Sequence, residues 1–437
     1  MKKIVASVGL VAFGASGLQA ELLPALTTES GKPWTTAATL RGFYDDNVST
    51  IGNNDPLGPG QHRDSFGFEV SPSLEFSFPL EQTTLNFGYA FSMKYYENKP
   101  VQSSGNETYA HDFHAAMTHA FSERYSVKVK DSFVVGQEPD FLRAGNSYTT
   151  FQRVSGNNLR NAGSIAFSAQ LTPEFGLDLG YANTMVSYSD NGNPAPGGTF
   201  TGYSYSGLLD MLDHSINLDG RYLLQPQTTG VVGFQFRETD YTGNQPIGEY
   251  QNGGYVMSGD RNARSYYGYV GMDHSFRPDL TGSMRAGGRF TQYYNDPVNQ
   301  DQGSPYFMNS LQYTYLPESY LQIGGSYDYS PSAVGPSPND SNQITTSAQA
   351  GTIFASVHHR ITPKLFGSIL GQFQNTTYYG GFYNSKNAKF YLVGLNLQYR
   401  FTPNFAAEMG YNYDDLNSEV QSNYDRNRVY VGITGSY

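Results

Sequence analysis

Residues Phe66–Phe78 alternate between two chemistries. Phe66, Phe68, Val70, Pro72, Leu74, Phe76 and Phe78 fall on one face, and Gly67, Glu69, Ser71, Ser73, Glu75 and Ser77 on the other. A period of two marks a strand whose faces meet different surroundings. The next stretch repeats it, with Leu85, Phe87, Tyr89, Phe91, Met93 and Tyr95 against Thr84, Asn86, Gly88, Ala90, Ser92 and Lys94. So do Tyr391–Phe401 and Val429–Tyr437 at the far end of the chain. Many such stretches reach roughly nine residues or more, the length that crosses a bilayer at a tilt. Strands of soluble sandwiches run about 5–6 residues, and a soluble β-helix repeats on a much shorter period. Pro72 lacks a ladder donor, so it marks a bulge or a locally unpaired position.

Punctuation between the stretches is regular. Pro79, Pro173, Pro226, Pro278, Pro317, Pro363 and Pro403 each sit between two apolar or aromatic runs. Thr172-Pro173-Glu174-Phe175, Thr362-Pro363-Lys364-Leu365 and Thr402-Pro403-Asn404-Phe405 are nearly one word, and Phe121-Ser122-Glu123-Arg124-Tyr125 fills the large gap with serine. Turns about 40 to 53 residues apart describe long β-hairpins. Between them lie Asn-, Gly-, Ser-, Asp- and Pro-rich segments at 48–63, 97–107, 137–157, 189–208, 242–259, 296–303, 331–343, 379–385 and 416–423, which read as loops. Eight turns and nine loops make about 18 strands, or 16 with one hairpin fewer. The expectation is an all-β, antiparallel, up-and-down transmembrane barrel over 36–437, with a short periplasmic segment at 21–35 before it.

The first 20 residues read as a cleaved leader. Lys2 and Lys3 form a charged start, Ile4 to Phe13 an apolar stretch, and Leu18-Gln19-Ala20 a cleavage site before Glu21. The net charge is −11, which argues against nucleic acid as a partner. No later segment approaches the ~18 consecutive apolar residues of a spanning helix. Mean hydropathy is −0.48, yet there are 36 Tyr and 28 Phe, as expected where only alternate residues face lipid and aromatic girdles mark both interfaces. Cysteine is absent, so disulfides play no part.

Arg41-Gly42-Phe43-Tyr44-Asp45-Asp46-Asn47-Val48 follows the top of the first strand. This Tyr-Asp-Asp-Asn-Val word, the Thr-Pro-x-Phe/Leu turns and the terminal Tyr437 resemble the putative beta-barrel porin 2 family of bacterial outer-membrane proteins. The likeness spans roughly residues 36–437. It implies an outer-membrane barrel associated with exopolysaccharide export. The final aromatic residue also resembles the terminal signal that barrel assembly machinery reads.

With the aromatic faces toward lipid, the opposite faces line the lumen. They carry Arg41, Lys94, Lys128, Lys130, Arg221, Arg237, Arg285, Arg289 and Arg400, with Glu69, Glu75, Asp178, Asp219, Asp328 and Glu408. An Arg or Lys facing midplane lipid would cost about 2–4 kcal/mol, so these side chains face water or one another. Lys128 with Lys130, and Arg285 with Arg289, form either a basic ladder for anions and hydroxyl-rich solutes or a counterbalance to lumen carboxylates. The interspersed signs favour the second reading. Tyrosine doublets end several strands, and one ring of each points inward. Tyr96, Tyr267 and Tyr294 are candidates for stacking on sugar rings.

Asp45, Asp46, Asp414, Asp415 and Asp425 lie near loop ends that barrel closure brings together, without the ligand spacing of a calcium motif. His111, His114, His119, His214, His274, His358 and His359 are scattered and match no nucleophile or metal signature. No catalytic residue, metal or cofactor is expected. The sequence thus reads as an outer-membrane channel for small polar solutes or an exported polysaccharide, with outer-membrane lipid as its surroundings. A surface adhesin or structural barrel with a plugged lumen is the alternative, and no oligomeric state is assigned.

Overall fold

The structure is a computed structural model that describes residues 32–57, 62–98, 105–136, 157–189, 205–249, 254–296, 301–331, 345–420 and 423–437. The expected leader, much of the lead-in and large parts of loops 137–157 and 189–208 lie outside these residues. The first half of the wall comprises β1 (Trp34–Asp45), β2 (Ser65–Pro79), β3 (Thr83–Tyr96), β4 (Glu107–Ala120), β5 (Tyr125–Gly136), β6 (Asn158–Gln170), β7 (Phe175–Tyr188), β8 (Met211–Gln225) and β9 (Thr228–Tyr241). A short helix α1 (Tyr205–Leu209) precedes β8, and after β9 come a small hairpin β10 (Pro246–Glu249) and β11 (Tyr255–Met257) and a 3₁₀ turn at Ser258–Arg261. The second half comprises β12 (Ala263–Arg277), β13 (Leu280–Gln292), β14 (Gln302–Leu316), β15 (Ser319–Pro331), β16 (Ser347–Arg360), β17 (Leu365–Tyr379), β18 (Asn387–Thr402), β19 (Phe405–Ser418) and β20 (Tyr424–Ser436).

Eighteen of these strands form one sheet, each antiparallel to its chain neighbour, with β9 pairing to β12 past the small hairpin. The sheet closes because β1 pairs with β2 on one side and β20 on the other, from Ala37↔Ser436 to Asp45↔Arg428. Thr36 and Tyr437 exchange backbone bonds of 3.0 and 2.8 Å at the base of this seam. The 18-strand expectation therefore holds. The wall begins at Trp34, two residues ahead of the expected boundary, because Trp34 and Thr35 already pair with Phe76 and Glu75.

Alternation decides which way each side chain faces. Along β18, Tyr391, Val393, Leu395, Leu397, Tyr399 and Phe401 are exposed, while Leu392, Gly394, Asn396 and Gln398 are buried. Ser71 and Pro72 drop out of the ladder to β3, yet Val70↔Met93 and Ser73↔Ala90 keep one register. Pro72 thus marks a local gap, not a bulge.

The short turns fall into two main kinds. At Phe121–Arg124, Leu171–Glu174 and Ile361–Lys364, four residues link the strands and a hydroxyl organises the bend. Thr172 Oγ1 accepts from the Phe175 amide at 3.0 Å and Thr362 Oγ1 from the Leu365 amide at 2.9 Å. Ser122 Oγ does the same for Arg124 at 3.2 Å, which is why serine substitutes here. Pro226-Gln227, Pro278-Asp279, Pro317-Glu318 and Pro403-Asn404 are two-residue turns, each preceded by a register shift. The shifts free Leu224, Phe276, Tyr315 and Phe401 from the ladder, placing an apolar or aromatic side chain beside each turn.

Leu395 lies mid-strand on the outer face, 41% exposed. Leu395→Arg should destabilise the barrel in lipid by about 2–4 kcal/mol, whereas Gln398→Arg on the inner face should cost less. Urea unfolding in lipid vesicles measures both; equal costs would mean that the two faces are not distinguished by lipid.

Candidate functional site in the barrel lumen

The first charged tract crosses the seam. Arg41 stands opposite Glu69 on β2 and Gly432 on β20, and Glu408 on β19 is the other neighbour of Gly432. With no side chain at 432, the guanidinium reaches across: Nη1 donates to Glu69 Oε2 at 2.9 Å, and Nη2 to Glu408 Oε1 at 2.6 Å. A Cβ at 432 would lie 3.3 Å from that Glu408 oxygen. The same guanidinium covers the Tyr430 ring at 4.7 Å, and Lys94 faces Glu69 from β3. Glu75 meets His114 across Gly88 at 3.0 Å, a half-exposed pair that solvent screens.

Above this tract, the acidic word after strand one meets the last strand. Asp45 is fully buried and accepts from Arg426 Nε at 3.0 Å and Arg428 Nη2 at 3.0 Å. Asp46 Oδ1 accepts the Asn427 amide at 2.6 Å, and Asn47 Nδ2 donates to the Asp425 carbonyl at 3.1 Å. Asp414 and Asp415 face Arg426 and Asp425 across the ladder. The acidic residues do converge, and they latch the first strand to the last. Among the described residues, no group of three or more His, Cys, Asp or Glu is arranged to hold a metal.

The second tract runs over β7–β9 and β12–β15. Arg221 pairs with Asp178 at 2.7 Å, Arg237 Nε donates to Asp213 Oδ2 at 2.7 Å, and Arg285 Nη1 lies 2.9 Å from Asp273. Arg285 also donates to the Met272 and Met284 carbonyls. Tyr269 gives its proton to Asp219 at 2.6 Å across the intervening β9. Tyr329 reaches furthest. Beyond Phe307↔Tyr327 the upper end of β15 leaves its ladder with β14, and the Tyr329 ring lies 4.3 Å from the Arg289 guanidinium and 5.9 Å from that of Arg237. Three strands separate β9 from β15 in the wall, so this contact runs over the inner side of β12–β14.

A cap packs beside this layer. Leu208 of α1, Ile247 of β10 and Val256 of β11 are buried. Arg261 donates to the Leu208 carbonyl at 2.8 Å while its guanidinium stacks on Tyr241 at 3.8 Å. Gly243 permits the approach, since a Cβ there would stand 2.4 Å from the Ser206 carbonyl. Asp210 ties α1 to the wall, accepting from Ser206 Oγ at 2.6 Å and the Tyr188 amide at 2.7 Å. Burial nevertheless raises its carboxyl above the usual range.

Lys128 and Lys130 take inward positions on β5, opposite Thr118 and Ala116. Arg400 stacks on Phe366 at 4.2 Å, and the Asp328 carboxylate accepts the Tyr329 amide. Of the three tyrosines, Tyr96 is fully buried against Phe43, and Tyr267 is 1% exposed against Tyr306. Tyr294 corrects the expected orientation: it is 41% exposed on the outer side, under Arg264 and bonded to Asp240, while Tyr293 is the buried member. The alternation of β13 continues past its end: Arg285, Arg289, Thr291 and Tyr293 are buried, whereas Met284, Phe290 and Tyr294 are exposed, so counting from Arg289 makes Tyr293 the inward ring. Asp213, Asp273, Tyr269, Tyr306, Tyr329 and Arg261 escaped the sequence reading. Their facing positions were readable only for the pairs within a hairpin.

Against this geometry, one family model matches. Residues 339–437 match the family described as putative beta-barrel porin 2. No curated protein sequence matches. Among solved structures, the outer membrane protein OpdK from Pseudomonas aeruginosa is 11% identical, with 92% of this chain and 99% of that chain covered and a TM-score of 0.42. A BenF-like porin from Pseudomonas fluorescens Pf-5 is 10% identical, covering 92% and 99%, at 0.44. OccAB4 from Acinetobacter baumannii is 11% identical, covering 93% and 99%, also at 0.44.

The rim latch is the most buried ion pair at the seam. Asp45→Asn should cost about 3–5 kcal/mol, because it leaves the buried Arg426 and the partly buried Arg428 without their shared carboxylate. The temperature at which the barrel loses its folded gel mobility measures this, and an unchanged temperature would show that the latch does not hold the seam.

Proposed function

We propose that this chain is an outer-membrane channel that passes small polar solutes through its lumen. The observation that carries this reading is the pairing of two faces in one closed wall: a continuous apolar exterior and an interior crossed by two tracts of charged side chains. Lipid cannot hydrate ions, whereas such an interior replaces their lost water with fixed charges and dipoles. In this reading the eight turns face the periplasm, the loops face outward, and Tyr437 is the residue that assembly machinery reads after leader removal. An exported polysaccharide is the second solute class. It is less favoured, because Tyr96 and Tyr267 are buried and Tyr294 faces outward, leaving none of the three rings to line a glycan path.

The packed cap and the Tyr329 contact over β12–β14 narrow the lumen on that side and favour one rival, a barrel with a closed lumen that acts through its loops. Purified protein in a planar bilayer separates the two. Stepwise ohmic conductance is expected, and folded protein that stays silent would support the closed barrel. Lys128→Glu with Lys130→Glu should move the reversal potential toward cation preference. An unchanged potential would place the conducting path away from β5.

A further inference from the structure

Arg289 differs from every other arginine of its tract. Its side chain is 3% exposed, yet none of its Nε, Nη1 and Nη2 atoms has a hydrogen-bond partner. Arg285, four residues away on the same face, is saturated by Asp273 and two carbonyls. Arg237 is taken by Asp213. Asp328 is the carboxylate whose charge acts on Arg289, but it accepts the Tyr329 amide at 2.6 Å and nothing from the guanidinium. A buried cation whose donors are all idle is costly unless an anion completes it.

We propose that Arg289 anchors a binding site for a single carboxylate group. The Tyr329 ring covers one face of the guanidinium at 4.3 Å, and the nitrogens along its edge, closed off from solvent, carry the unused donors. A planar two-oxygen anion matches that edge through two parallel N–H···O bonds. Tyr267, the cross-strand partner of Arg289, and Tyr293 bring hydroxyls that also lack an aligned partner, and their rings offer apolar surface to the body of the ligand. As a step on a solute path the site rests on the channel reading above, whereas its occupancy is measured without any conductance.

Full-length barrel in detergent, heated in sodium acetate against sodium chloride at matched ionic strength, tests the site. The unfolding midpoint of the unaltered protein should rise saturably with acetate. Arg289→Gln should weaken the apparent acetate affinity about 10- to 100-fold. Arg289→Lys, which keeps the charge and loses the fork, should fall between, and Asp328→Asn should tighten binding. If Arg289→Gln does not fold, the Lys and Asp328→Asn variants carry the test. No saturable rise in the unaltered protein, or a rise that Arg289→Gln retains, overturns the site. Acetate binding in a barrel that never conducts would remove the channel reading and leave the site standing; conductance without acetate binding would do the reverse.

Discussion

Every amide of the wall must find its acceptor within the wall, because hydrocarbon supplies none. That requirement accounts for the whole architecture. It excludes a free strand edge, so the first and last strands must meet, and they do so over nine register pairs from Ala37↔Ser436 to Asp45↔Arg428. It also makes the chain alternate, since each strand presents one face to lipid and one to the interior. The seam joins the two segments furthest apart along the sequence, where loop closure removes the most chain entropy. Two branched ion pairs lie there: Arg41 between two glutamates, and Asp45 between two arginines.

Charge inside the wall is arranged to cancel locally. Arg221, Arg237 and Arg285 each hold a carboxylate of a neighbouring strand within ion-pair distance. The interior is therefore not a one-signed ladder, and Arg285 and Arg289, alike in the sequence, have opposite situations. One is saturated by carbonyls and a carboxylate; the other stacks on an aromatic face and keeps its donors unused. Tyr329 stands at the upper end of β15, beyond the last β14–β15 pair at Phe307↔Tyr327, and its ring covers the Arg289 guanidinium.

Much of the fold was legible because period-2 alternation and turn chemistry are local. Phe66–Phe78 alone specifies two faces, and the hydroxyl-proline turns place the hairpin ends. The four-residue and two-residue turns were not distinguishable, since Thr172-Pro173 and Thr402-Pro403 share a word but differ in the register of their strands. The inward carboxylates and arginines were readable one at a time. What each touches was not, because Arg41 with Glu408, Tyr269 with Asp219, and Tyr329 with Arg237 meet across strands that share no turn. The Tyr293–Tyr294 doublet failed for another reason: the expectation chose the wrong ring, although counting in twos from inward Arg285 and Arg289 leads to Tyr293.

The seam has a consequence for the life of the chain before it reaches the membrane. Thr39 and Thr434 touch through their hydroxyls at 2.8 Å although 395 positions separate them. Until the final thirteen-residue strand has left the ribosome and arrived, β1 has one bare flank and β19 another, each ready to accept a stray strand from elsewhere. Such a polypeptide keeps two unpaired strand flanks until its last strand is in place, so closure of the wall is a single late event.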